Sequence, residues 1–478
     1  MPRCFPVKRS ASYREIPRTA GNKETGVCAS VRRGVDNLPA EWYNTAKNQI
    51  GNRILNTKNT KRLVPTAVDR RASVMLVILC WITYMVAYLT RNTYPAAIVH
   101  LVGAGALTES AAGLISAVYF SCYGAGHLIN GILADRISPF GMLLTGTAGT
   151  VAANVVMPLI TPALTPMAAV WAVNGFFESM LWAPIVAIFS ESILPEHRKR
   201  AFELISTSRP IGIILAYLTS SVCSHLGWLN APYGIAAVTA AAILAALAVS
   251  FGKLTKSAGT SVSDNAKSDG SEPAANKSVP ALFAASGAAV FVIPVIFHGM
   301  LKDGVNTWVP TVLKDLFGVS ESLSTALAIL LPVCGLIGIA FANFLIERKR
   351  LKQNYPVIGS IIMLITSVPV VLLLRAEALG LAGGVVCLCL ISMLMEAFNH
   401  TFSSIMPSEF AGTGKAATFS GIFNTLIYVG SAISTYAFGA IAEGLGWGVT
   451  IAVWLGLAVC SAIILPFAAK RWLSFLRK

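Results

Sequence analysis

Two short stripes of side chains in this sequence each set a cation among polar groups inside a long apolar run. Tyr84, Tyr88 and Arg91 fall at helical spacing, on one face, and apolar residues continue beyond the arginine from Tyr94 to Val102. His298, Lys302 and Asn306 form a corresponding stripe in a later run. A charge alone in hydrocarbon costs at least about 2.5–3.5 kcal/mol, so each cation must face a wet cavity or a partner, or reach out to the membrane surface. Two opposed basic stripes would clamp an anion, with arginine offering a two-pronged fork and lysine a point charge.

Five further ionisable residues lie in apolar runs. Glu178 and Arg209 fall in consecutive runs and predict a buried ion pair that fixes packing or rearranges as the protein switches. Glu396 and His400, one helical turn apart, could carry a proton, line a cavity wall, or bridge to Lys302. His127 reads as a core histidine with satisfied hydrogen bonds.

The elements that must position these groups are membrane helices. Hydrophobic residues make up 55% of the 478 and charged residues only 12%, where soluble chains carry about 25%. The nine cysteines are scattered without C-x-x-C spacing and read as small apolar residues. About twelve stretches are long and apolar enough to cross a bilayer. They fall into two sets of six, residues 72–252 and 280–470, which predicts an all-α membrane protein of two six-helix halves. A Lys/Ser/Asp/Gly/Asn stretch, 253–279, reads as a flexible linker, and 471–478 as a tail. Prolines inside the runs (Pro184, Pro210, Pro294, Pro332) allow helix bends.

The formal net charge of +15 would point to nucleic acid in a soluble chain, but its distribution excludes that here. Residues 1–71 hold 15 Lys/Arg against 5 Asp/Glu and read as a disordered basic head. The remaining basic residues concentrate in alternate loops, including Arg136, Arg198–Arg200, Arg348–Arg350 and Lys415, whereas the intervening loops at 161–165, 226–230 and 444–447 carry none. The positive-inside rule then puts both termini in the cytoplasm, and a bacterial plasma membrane is the expected location. The halves also look duplicated. Thr108-Glu109-Ser110 follows the first run and Ser320-Glu321-Ser322 the seventh, each with a hydroxyl and a carboxylate suited to opening a helix.

Gly131-Ile132-Leu133-Ala134-Asp135-Arg136, closing the second run, resembles the G-x-x-x-D-R loop signature of the major facilitator superfamily, without its trailing basic cluster. Asp135 and Arg136 are therefore candidate gating residues, able to pair with a neighbouring half in one conformation and release it in another. Within that superfamily the chain is similar to the organophosphate:phosphate antiporters. The similarity is carried by Tyr88-Leu89-Thr90-Arg91-Asn92, Asp135-Arg136-Ile137-Ser138-Pro139, Leu301-Lys302 through Trp308-Val309-Pro310-Thr311, and Gly414-Lys415-Ala416-Ala417-Thr418-Phe419-Ser420-Gly421. In that family one basic residue from each half grips the phosphate, and the matching positions here are Arg91 and Lys302. The chain departs from the pattern in its fifth run, where Ser206-Thr207-Ser208-Arg209-Pro210 replaces an aromatic and His-containing stretch, and in its tenth, which carries Glu396.

The resemblance implies a monomeric carrier of a small organic anion, exchanged for inorganic phosphate, with no cofactor. A proton-coupled carrier of carboxylates or sugar acids, favoured by Glu178, Arg209 and Glu396, and a transporter-derived sensor of a phosphorylated ligand remain as alternatives. An enzyme is disfavoured, since no H-E-x-x-H, G-x-S-x-G or phosphate-loop signature occurs.

Overall fold

The computed structural model describes residues 70–134, 137–191, 193, 195–257, 278–348, 351, 353–410, 413 and 415–477. Residues 1–69 of the basic head, most of the linker, and Asp135 and Arg136 lie outside the described residues. Among the described residues eleven helices are long and apolar enough to span a membrane. In order they are Ser73–Gly103, Glu109–Gly131, Pro139–Ile160, Leu164–Phe189, Arg200–His225, Ala231–Ser250, Ala288–Phe317, Glu321–Glu347, Tyr355–Leu373, Ala376–Ser408 and Thr418–Leu476. The last holds two crossings. Gly446, at φ 81°, breaks it in a conformation that glycine adopts without steric cost, between the eleventh and twelfth spans.

Apolar side chains point outward as well as inward, because the surrounding solvent is hydrocarbon: Leu159 is 79% exposed and Phe467 75%. Polar side chains turn in or satisfy themselves on their own helix, as Thr83, Thr93, Thr366 and Thr401 do on the carbonyl four residues back. The expected helix openings form: Thr108 Oγ1 accepts from Ala111 N–H and Ser320 Oγ from Leu323 N–H.

The second span packs on the fourth and on the long last helix, the first on the fifth, and the fifth also on the start of the eighth. At Gly113 a side chain would collide with the carbonyl oxygen of Thr435, so the second and eleventh spans meet there backbone to backbone. The tail is not free. Helix Ala469–Leu476 buries Trp472 against Phe291, Tyr355, Phe410 and Phe475, and the indole N–H donates to the Gln353 carbonyl.

Three departures from regular helix fall near the central residues. The fourth span breaks directly after Glu178, between segments Leu164–Glu178 and Trp182–Glu191. The seventh contains a π-helical turn, Met300–Gly304, and the tenth another, His400–Ile405. Such wide turns rotate all that follows and frequently occur at functional sites.

Candidate functional site

A cavity of about 930 Å³ runs between the two halves, lined by the first, second, fourth and fifth spans on one side and the seventh, eighth, tenth and eleventh on the other. At one end it stops beneath a polar seal. His100 Nδ1 lies 2.9 Å from Glu321 Oε2, Lys314 Nζ donates to Glu321 Oε1 at 2.8 Å, and Ser221 and Ser322 exchange hydrogen bonds. The Ser110 N–H donates to Glu443 across the second and eleventh spans. At the other end the lining reaches Gly131, Phe202 and Gly421, which are exposed, so the cavity opens there.

Arg91 sits in this cavity, 9% exposed, with no carboxylate paired to it among the described residues. Its guanidinium is held by ring faces instead: Tyr123 at 4.7 Å, Phe120 at 5.1 Å, Tyr88 at 5.4 Å and Tyr119 at 5.5 Å from the ring centroids. Ring quadrupoles attract a cation without neutralising it, so its N–H groups stay available to an anion. Glu178 lies behind this platform rather than in the cavity. Its carboxylate accepts from the Tyr119 hydroxyl in a short hydrogen bond, from Thr90 Oγ1 at 3.1 Å and from Asn174 Nδ2 at 3.2 Å. A carboxylate on the phenol oxygen makes the Tyr119 ring richer in electrons and fixes its tilt beneath Arg91.

Lys302 also lines the cavity, 6% exposed, but differs in kind: its Nζ is 2.8 Å from Oδ1 of Asp303, and Asp303 Oδ2 accepts from Ser431 Oγ at 2.7 Å. Neither cation therefore reaches out to the membrane surface. Tyr84 and Tyr88 line the cavity and meet edge to face at 5.1 Å. Asn306 lines it as well, its backbone carbonyl accepting from the Tyr217 hydroxyl. His298 does not: it is fully buried and stacks on Phe398 at 4.6 Å. The π turn inserted between His298 and Asn306 breaks the regular stripe and directs the histidine away.

The expected pair between Glu178 and Arg209 is not formed. Arg209 instead makes a bidentate ion pair with Glu396 across the halves, Nη1 to Oε2 at 2.9 Å and Nη2 to Oε1 at 2.7 Å, which also excludes the bridge from Glu396 to Lys302. The reason is topological, since the fourth span packs on the second while the fifth packs on the first and eighth. His400 lines the cavity but engages Asn343 Oδ1 at 3.1 Å rather than Glu396.

Several groups here were not singled out from the sequence. Tyr119 and Tyr123 precede His127 at four-residue intervals on the second span, a visible spacing, and Asp303 adjoins Lys302. Tyr428 from the eleventh span gave no signal, yet it crosses to the first half, lying 4.8 Å from Tyr123 and stacking on His127 at 5.5 Å. His127 is not a satisfied core histidine. It lines the cavity, and its Nε2 has no hydrogen-bond partner among the described residues.

Two helix sets enclosing a central cavity define a class of membrane protein, and the chain belongs to the Major Facilitator Superfamily, whose family model matches residues 80–435. Among characterised relatives it is 26% identical over 155 residues to the membrane sensor protein UhpC of Salmonella typhimurium, an alignment covering 32% of this chain and 35% of that protein. It is 20% identical over 409 residues to a probable hexose phosphate transport protein of Chlamydia muridarum, covering 81% of this chain and 88% of that one. In fold it is similar to the inward-facing, unoccupied crystal structure of a bacterial homologue of the human lysosomal transporter Spinster. The TM-score is 0.66 at 13% identity, over 86% of this chain and 98% of that one.

Proposed function

We propose that this protein is a secondary transporter that carries a phosphate ester across the plasma membrane by alternating access, in exchange for inorganic phosphate. The observation that carries this reading is Arg91, a buried guanidinium with no carboxylate paired to it among the described residues, facing a cavity that both halves enclose. A cation kept unpaired at that depth needs an anion to complete it, and a phosphate offers oxygens that match its fork. The relative from Chlamydia muridarum, named for hexose phosphate, supports that substrate class. The loop charges support an orientation with the open end facing the cytoplasm, and the seal at His100 and Glu321 is then the outer gate. In this account residues 72–252 and 280–470 rock about the bound anion as a monomer, with Asp135 and Arg136 at a gating loop.

Coupling to protons through a cavity carboxylate is disfavoured, because the two carboxylates that line the cavity, Asp303 and Glu396, are each paired with a cation. The sensor reading retains one support, the likeness to UhpC. Uptake of labelled glycerol phosphate and phosphate into proteoliposomes separates these readings. The transporter account predicts exchange that requires internal phosphate and is indifferent to a pH gradient. Binding without any exchange would favour the sensor, and uptake of a carboxylate driven by a pH gradient would replace the phosphate reading.

A further inference from the structure

Arg91 is not the only guanidinium on the Tyr88 ring. Arg209 lies 5.7 Å from the same ring centroid, against 5.4 Å for Arg91, so one phenol separates two forks, one paired with a carboxylate and one with no such pair among the described residues. The paired fork holds Glu396 through two hydrogen bonds, and all three residues line the cavity. A carboxylate in two-pronged contact with arginine has the geometry that a phosphate would adopt there.

We infer that Glu396 is a tethered stand-in for the ligand on Arg209, and that the carrier selects doubly charged phosphate esters by letting them displace it. Among the described residues three cations, Arg91, Arg209 and Lys302, and two carboxylates, Asp303 and Glu396, face the cavity, a surplus of one positive charge from these groups. A singly charged anion is matched by Arg91 alone and leaves the Arg209–Glu396 pair intact. A second negative charge has no free partner unless Arg209 turns from Glu396 to the ligand, about the shared Tyr88 ring. Lys302 is a poorer source, since its carboxylate is the next residue in the chain and is held by Ser431. Glu396, once displaced, faces the wet cavity, and because the pair joins the fifth span to the tenth, its exchange also loosens a tie between the halves.

This inference rests on the phosphate-ester reading, and one experiment tells their failures apart. The probes are methyl phosphate, doubly charged at pH 8, and methyl sulfate, its singly charged analogue of similar shape, titrated calorimetrically into the purified full-length chain. The wild type should favour methyl phosphate by about tenfold or more, the size of one charge-assisted contact. Glu396→Gln should tighten methyl phosphate several-fold and methyl sulfate less. The double variant Arg209→Gln/Glu396→Gln, which leaves the cavity charge unchanged, should bind methyl sulfate as the wild type does and lose the preference. A double variant that keeps the preference, or a Glu396→Gln protein that folds and binds both probes more weakly, overturns the inference, and the single variant decides alone if the double does not fold. Equal wild-type affinity for the two probes overturns the inference while leaving the phosphate-ester reading standing. Wild type that binds neither overturns both.

Discussion

Arg91 and Lys302 hold corresponding places, one in the first span of the first half and one in the first span of the second, and both are buried in the same cavity. Their surroundings differ in kind. Arg91 rests on four aromatic faces with no carboxylate paired to it among the described residues, whereas Lys302 is paired with the residue beside it. Corresponding positions along the two halves therefore do not carry corresponding electrostatics. One half presents a cation to the cavity, and the other presents an ion pair.

The largest effect should come from Arg91→Ala. Losing two charge-assisted hydrogen bonds, each worth about 1.5–3 kcal/mol, should weaken binding of a phosphate ester by about 100-fold or more in calorimetric titration. Lys302→Ala should also weaken binding, by about tenfold or more, but for another reason: it strands the Asp303 carboxylate in the cavity, where it repels the ligand. The double variant Lys302→Ala/Asp303→Ala sharpens the contrast and should recover most of that loss; if Lys302 gripped the ligand directly, the double would bind as poorly as the single. Tyr119→Phe, which removes the hydroxyl held by Glu178, should cost least. About 1 kcal/mol, or a several-fold loss of affinity, is expected from a less electron-rich and less fixed ring under Arg91, with a small fall in thermal midpoint.

The fold was legible where one local rule decides the outcome. Apolar length marked the spans, loop residues 444–447 marked the break that the structure makes at Gly446, and the hydroxyls of Thr108 and Ser320 marked their helix openings. Tyr84, Tyr88 and Arg91 shared a face as their spacing required, because that stretch is regular helix. His298 broke the parallel expectation because the π turn at Met300–Gly304 has no obvious sequence signature. Glu178 and Arg209 were paired by order along the chain, while in the bundle the fifth span faces the tenth across the cavity and the fourth turns its carboxylate toward Tyr119. Tyr428 could not be found from spacing at all, since its partners His127 and Tyr123 lie about 300 residues earlier and meet it only through the packing of the second span on the eleventh.

The most direct test is a density map of the full-length protein with a phosphate ester bound. The account predicts tetrahedral density in the central cavity within hydrogen-bond distance of the Arg91 guanidinium, absent when the Arg91→Ala protein is prepared in the same way. Density placed on Lys302 with Arg91 unengaged, or density that persists unchanged in the variant, would contradict it.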